Sequence, residues 1–251
     1  MPIQLSMVDA ATSDRADGTL AVRRFSPGKM DDLASPILMI DEFRSGGIPF
    51  GPHPHARYSL LNYVFEDSEG GLRSRDSLGN DLRVGPGGIV WTQAASGLIH
   101  EERPAEPGLE LHGLQIFVNL RAENKLAAPC VFRLNRDQIP VWNSGLGDRV
   151  RVVVGSYGDA VSPLVPSEPI DLLDVDLKSE CSFSLHKDHL ALVLVLTGEI
   201  VVQAGKAGQK LQSGEALAIH GGPGCVNLAS KNPAHLVLLA CAEFREPDPD
   251  R

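Results

Sequence analysis

Hydrophobic residues along the chain fall into short runs rich in Val, Leu and Ile, among them Leu60–Phe65, Ile89–Thr92, Leu114–Leu120, Leu190–Leu196 and Leu236–Leu239. Between them stand tight-turn sequences such as Ser77-Leu78-Gly79-Asn80, Gly85-Pro86-Gly87-Gly88 and Gly221-Gly222-Pro223-Gly224, where glycine supplies the left-handed backbone a turn needs. Runs of this length at this spacing read as β-strands of a sandwich or barrel. A sustained helical period is scarce, and the segment around Asp137–Leu146 is expected to form at most one short helix. The fold class expected is therefore all-β.

The pattern also repeats. Asn62-Tyr63-Val64-Phe65 matches Val193-Leu194-Val195-Leu196 at an offset of 131 residues, and Gly85-Pro86-Gly87 recurs roughly as Gln212-Ser213-Gly214. Each half reads strand, turn, strand, glycine turn, strand, which implies two copies of one barrel. A chain of 251 residues has room for two such units. The seam is expected in the Pro-, Gly- and Asn-containing run Gln138–Val165, and the halves are taken as 1–135 and 136–251. The acidic, Pro-rich C-terminal EFREPDPDR is expected to fray.

Composition narrows the function classes. With 43% hydrophobic and 22% charged residues the chain can bury a sizeable core. A net charge of -9 offers no basic surface to neutralise phosphates, so direct nucleic-acid binding is not expected. Cys130, Cys181, Cys225 and Cys241 are widely spaced, without a Cys-x-x-Cys pair, and are expected to be reduced and mostly buried. The N-terminus lacks the basic start and apolar core of a secretory signal, and no uninterrupted apolar run reaches the roughly 18 residues of a membrane span. A cytoplasmic protein that does not enter a membrane, and a monomer, is expected.

Against this ordinary background one constellation stands out. His53-Pro54-His55 precedes the strand Tyr58–Phe65, and in extended chain residues i and i+2 point to one face, about 6–7 Å apart. His100-Glu101-Glu102 repeats the spacing after another strand, Ile89–Thr92. His53, His55, His100 and Glu102 together offer three imidazole nitrogens and a carboxylate oxygen. That donor set suits Fe(II), Ni, Cu, Mn or Zn, and with open positions for substrate it suits non-haem iron best. No cysteine lies near enough in sequence to suggest a closed structural zinc site. Glu101 should point to the opposite face. Arg57 and Tyr63 share the parity of His53 and His55, as pocket lining or as packing. Asp76, beside Ser77 and Asn80, reads as a turn residue, and His112 as a hydrogen-bonded core residue. In the second half the offset places His186 opposite His55 but Ser184 opposite His53, and no His-x-Glu pair recurs in Gly221–Ala234. No complete second metal site is expected, and His186, His189, His220 and His235 read as structural or exposed.

The residues also resemble a family, the pirins, two-domain members of the cupin superfamily. The runs GPHPHARYSLLNYVFE, SRDSLGN, GPGGIVWTQAASGLIHEERP and ELHGLQIFVNL resemble pirin segments in order and spacing, and AVRRFSPGKMDDLASPILMIDEFRSGG resembles the family's N-terminal strand pair. The resemblance covers Gly18 to Leu120 in detail. It implies a bicupin, two tandem double-stranded β-helix barrels, with iron or a similar metal held in the first barrel by His53, His55, His100 and Glu102 and none in the second. It departs from the usual pirin pattern at Arg57–Leu61 and at Ser74, beside that site. Two functions are implied: a quercetin 2,3-dioxygenase-like enzyme acting on a flavonol or other small aromatic with O2, in which Glu102 alternates between ligand and proton acceptor, or a regulatory protein whose metal centre tunes a surface for an enzyme or transcription-factor partner.

Overall fold

The computed structural model describes residues 3–16, 20–25, 36–46 and 50–244, residues 13–16 and 50 by their backbone only. In chain order the strands are β1 (Gln4–Leu5), β2 (Asp9–Ala10), β3 (Thr12–Ala16), β4 (Leu20–Phe25), β5 (Ile37–Ser45), β6 (Phe50–His55), β7 (Tyr58–Val64), β8 (Leu72–Asp76), β9 (Asp81–Val84), β10 (Ile89–Gln93), β11 (Leu98–Pro104), β12 (Leu111–Asn119) and β13 (Cys130–Leu134). They continue as β14 (Val141–Asn143), β15 (Arg149–Val154), β16 (Ser156–Tyr157), β17 (Ala160–Val161), β18 (Ile170–Leu177), β19 (Glu180–Leu185), β20 (His189–Thr197), β21 (Glu199–Ala204), β22 (Ala207–Gln212), β23 (Glu215–Gly221), β24 (Gly224–Ala229) and β25 (Ala234–Ala242). The helix expected around Asp137–Leu146 shrinks to a 3-10 turn at Arg136–Gln138. Pro140 removes a backbone donor, and Val141 and Trp142 favour the strand that follows. Among the described residues no helix is long and apolar enough to cross a membrane.

The described residues form two compact units, one from 12–16, 20–24, 37–46 and 50–138, the other from 3–11, 25, 36 and 139–244. In the first, the sheet β13-β10-β7-β12-β5-β4-β3 faces the sheet β6-β11-β8-β9. In the second, β1-β23-β20-β25-β18-β15-β14 faces β19-β24-β21-β22, with β2 also on β23. The strand orders correspond place for place. Position 58, the start of β7, and position 189, the start of β20, differ by the offset of 131 seen in the sequence. Each unit is a double-stranded β-helix, so the chain is all-β with two cupin barrels.

The two interiors are filled differently. Val150, Val175, Val193 and Leu236 of the larger sheet of the second barrel pack on Ile200, Val202, Leu211 and Val226 of the smaller. Fully burying such a side chain contributes about 1.5–3 kcal/mol. In the first barrel Val64, Val90 and Leu111 meet Leu72 and Val84, but Asn62, His100 and Glu102 are buried too. Asn62 lies on β7, a strand whose residues from Ser59 onward are all buried. A buried polar group costs stability unless it is paired, so these residues mark the place where chemistry displaces packing.

Candidate metal centre

Antiparallel pairing of β6 with β11 brings the two sequence pairs together. His53 stands opposite His100 and His55 opposite Leu98, so three imidazoles share one face. Ring centroids are 4.6 Å apart for His53–His55 and 4.7 Å for His100 with each of them. One ligand atom from each lies within 4.8 Å of the others. Between the His53–His100 pair and Phe50 the register slips, two residues of β6 standing against Glu101 alone so that Glu102 pairs with Phe50, while β11 keeps its register with β8 through Glu102; the extra residue bends β6. The Glu102 carboxylate lies 3.7 Å from His100 Nδ1, beside the trio rather than within it. His53 and His55 are half-buried while His100 and Glu102 are buried, so the cluster opens towards solvent on its β6 side.

The neighbours hold these groups in defined states. His53 Nδ1 lies 2.7 Å from the Gly51 carbonyl, which can only accept, so Nδ1 carries the proton and Nε2 the lone pair. His55 Nδ1 is hydrogen-bonded to the Tyr58 hydroxyl, and Phe117 stands edge-on at 5.8 Å. Asn62 Nδ2 donates to Glu102 Oε1 at 2.7 Å, while Gln115 Nε2 lies 3.4 Å from Oε2 and 3.1 Å from Asn62 Oδ1. Burial, reinforced by His53, lowers the His55 pKa to about 4. Burial and then the other two imidazoles lower that of His100 to about 3. Burial raises Glu102 to about 8 against the opposing Asn62 hydrogen bond. At neutral pH both imidazoles therefore offer lone pairs, and the His100–Glu102 contact is not an ion pair.

The residues fit a transition metal. Both ring nitrogens of His100 are buried without a hydrogen-bond partner, a rare and costly condition. The donor set of nitrogens with a carboxylate, backed by hydrogen-bonded supports, is the composition such an ion takes. Behind Glu102 a cavity of about 40 Å³ is lined by Asp41, Ser45, Asn62 and Gln115, room for little more than a water molecule.

Other expected residues sort clearly. Arg57 does not line the site. It is exposed in the turn between β6 and β7 with φ of 70°, and that left-handed residue breaks the alternation on which its parity assignment rested. The face is thereby exchanged: Tyr58 and Asn62 look towards the centre, while Tyr63 is fully buried against Phe65. Leu60, Phe65 and Trp91 are fully buried. Glu101 reaches Arg75 at 3.4 Å, and the Asp76 carboxylate accepts from Leu78 and Asn80 in its turn. His112 lies between Asp67 at 2.6 Å and Glu42 at 3.2 Å, a paired core residue. The cysteines are free, but of the four only Cys241 is buried; Cys130 and Cys181 are half-buried and Cys225 is exposed. Sequence reasoning did not single out Asn62, Gln115 or Phe117. An amide inside an otherwise apolar strand is the signal that marks the first two.

Residues 11–118 match the family model described as Pirin. Over 243 residues the chain is 31% identical to Pirin from Mus musculus, covering 93% of this chain and 81% of that one. The chain belongs to the pirin family. A Pseudomonas aeruginosa relative named as a candidate quercetin 2,3-dioxygenase is 29% identical over 247 residues, covering 92% of this chain and 83% of its own. A bacterial pirin from Escherichia coli, solved in complex with nickel(II), superposes with a TM-score of 0.73 at 19% identity, covering 96% of this chain and 100% of that one. At that identity the likeness is one of fold. In this pirin-family chain the second barrel sets Cys225 opposite Ser184, where the first sets His100 opposite His53. Among the described residues no other group of three potential ligands comes together.

Proposed function

We propose that the first barrel is a metal-dependent dioxygenase site in which His53, His55, His100 and Glu102 hold one divalent transition-metal ion, iron(II) first, with Ni, Cu, Mn and Zn as alternatives. The observation that carries this reading is the buried His100, whose two unpartnered nitrogens sit among the rings of His53 and His55. The proposed substrate is a small enolisable aromatic of the flavonol class, quercetin among them, with O2. The name of the Pseudomonas aeruginosa relative supports that substrate class, and the nickel complex of the Escherichia coli pirin supports a metal in a protein of this fold.

Bound there, the ion would supply Lewis-acid polarisation of a substrate oxygen and a centre for O2 chemistry. The chain's own residues set the rest. Gly51 fixes the His53 tautomer and Tyr58 orients His55. Asn62 and Gln115 hold the Glu102 carboxyl, whose raised pKa keeps it protonated at neutral pH while no cation is near. A nearby cation would lower that pKa again, so Glu102 serves as ligand or as base according to what faces it. Tyr58 and Phe117, 5.2 Å apart, supply an aromatic wall on the open side.

The test is metal analysis of untagged protein after reconstitution, followed by oxygen uptake when a flavonol panel is added to the iron(II)-loaded protein. The expected result is one ion per chain and uptake that is lost in His55→Ala and Glu102→Ala. A metal content near zero with every ion tried overturns the site, and uptake that survives both variants overturns the enzyme. A second reading, docking of an enzyme or transcription-factor partner, is favoured by Leu78 and Ile99. They are 47% and 51% exposed on neighbouring segments joined by the Ser77–Ile99 hydrogen bond, and Ile99 is next to His100. A metal-loaded protein that takes up no oxygen with any flavonol favours that reading.

A further inference from the structure

Because the second barrel repeats the strand order of the first, every residue of the metal centre has a counterpart. The offset of 131 places Ser184, His186 and His189 at the positions of His53, His55 and Tyr58. The registers extend the correspondence: Ala240 faces Ala191 as Phe117 faces Leu60. At these positions, where the first barrel has two imidazoles, a phenol and a phenyl ring, the second has a hydroxyl, two imidazoles and a methyl group. The space so released is a cavity of about 390 Å³, within the range of small-molecule sites.

Its lining has a definite chemistry. Trp142 and Tyr157 meet edge-on, centroids 5.0 Å apart, and Phe183 lines the same cavity. The Tyr157 hydroxyl donates to the Ser182 carbonyl at 2.9 Å, which holds its ring in place. Asp171 is the one lining residue with a formal charge, and its Oδ1 accepts from the Ser156 backbone at 3.1 Å. A Cβ on Gly155, where φ is 85°, would fall 1.7 Å from that oxygen, so the turn needs glycine for the carboxylate to sit there. His186 and His189 lie beside one another at 5.4 Å. His189 Nδ1 donates to the Lys187 carbonyl at 2.9 Å, leaving Nε2 as an acceptor in the neutral ring.

We infer that the second barrel carries a metal-free site for a small organic ammonium ion, held between the Asp171 carboxylate and the aromatic faces of Trp142, Tyr157 and Phe183. Aromatic faces attract a cation through their quadrupole, and the carboxylate adds the opposite charge. His189 Nε2 and the Ser184 hydroxyl can accept N–H groups. An anion would meet the Asp171 carboxylate, which repels it.

Calorimetric titration of the metal-loaded full chain with tetramethylammonium and phenethylamine, and with benzoate as an anion of similar size, tests this directly. The chain has two tryptophans, and Trp91 is fully buried in the first barrel, so a parallel change in emission reports on Trp142. Saturable binding of at least one amine is expected, weakened tenfold or more in Asp171→Asn and abolished in Ala240→Phe, which restores the first barrel's ring. Should Ala240→Phe fail to fold, Ala240→Leu fills part of the same space and is expected to weaken binding. Metal content is expected to be unchanged in all three variants. Benzoate binding as tightly as the amines, amine binding indifferent to Asp171→Asn or to the Ala240 substitutions, or no saturable binding of either amine would each overturn the assignment.

Discussion

Replacing His100 with leucine should stabilise the metal-free protein and remove most of the stabilisation that metal gives the parent. His100 is 2% exposed and neither ring nitrogen has a partner. An unsatisfied buried polar group costs about 1–3 kcal/mol, so relieving two of them is worth roughly 2–6 kcal/mol. An apolar replacement of slightly different shape gives back up to about 1.5 kcal/mol. In a chelator, His100→Leu should therefore be more stable than the parent by about 0.5–6 kcal/mol. At about 2–4 °C per kcal/mol for a chain of this size, the thermal midpoint rises measurably. With free metal at a hundredfold excess over Kd the parent gains about 2.7 kcal/mol, and a variant lacking a ligand gains far less. Thermal unfolding followed by circular dichroism, in chelator and then in excess iron(II) or nickel(II), reads both effects. Destabilisation of the variant in chelator would show that His100 makes interactions its surroundings do not reveal, and equal stabilisation of both proteins by metal would place the ion elsewhere.

Asn62→Ala removes the 2.7 Å donor to Glu102 Oε1 and should weaken metal affinity by about ten- to a hundredfold, the usual effect of removing a supporting group; competition with a chelator measures it, and an unchanged affinity would detach Glu102 from the site. Asp148 is fully buried and its carboxylate accepts from Ser144 Oγ, Ser179 Oγ and the backbone of Lys178 and Ser179. Burial alone would raise its pKa, but those hydrogen bonds more than reverse this and lower it. Its contribution is therefore present above the unfolded value of about 4 and is lost as pH falls below it. Asp148→Ala should cost about 2–4 kcal/mol at pH 7 in denaturant titrations, and its stability should fall less steeply than the parent's below pH 4. Thiol labelling should find Cys225, which is exposed, far ahead of Cys241, which is buried with its pKa pushed up to about 12; Cys225→Ser should remove the fast phase.

Much of this was legible in the amino-acid order because it depends on local period. Alternation and turn residues announced strands such as β7, β10, β20 and β25, and the offset of 131 announced a duplication that the matched strand orders display. The two i, i+2 pairs marked the candidate centre, since an extended backbone alone puts His53 beside His55 and His100 on one side with Glu102. What periodicity cannot convey is which separate strands become neighbours and where alternation is interrupted. The pairing of β6 with β11 set His100 against His53 and put the extra residue of a bulge on β6, and the left-handed turn at Arg57 reversed the faces of β7. Through that reversal Asn62 rather than Tyr63 came to hold the carboxylate. The cavity of the second barrel likewise depends on residues from β14, β16, β18, β19 and β25. Side chains so distant in sequence acquire a common chemistry only when sheet pairing brings them to one end of a barrel.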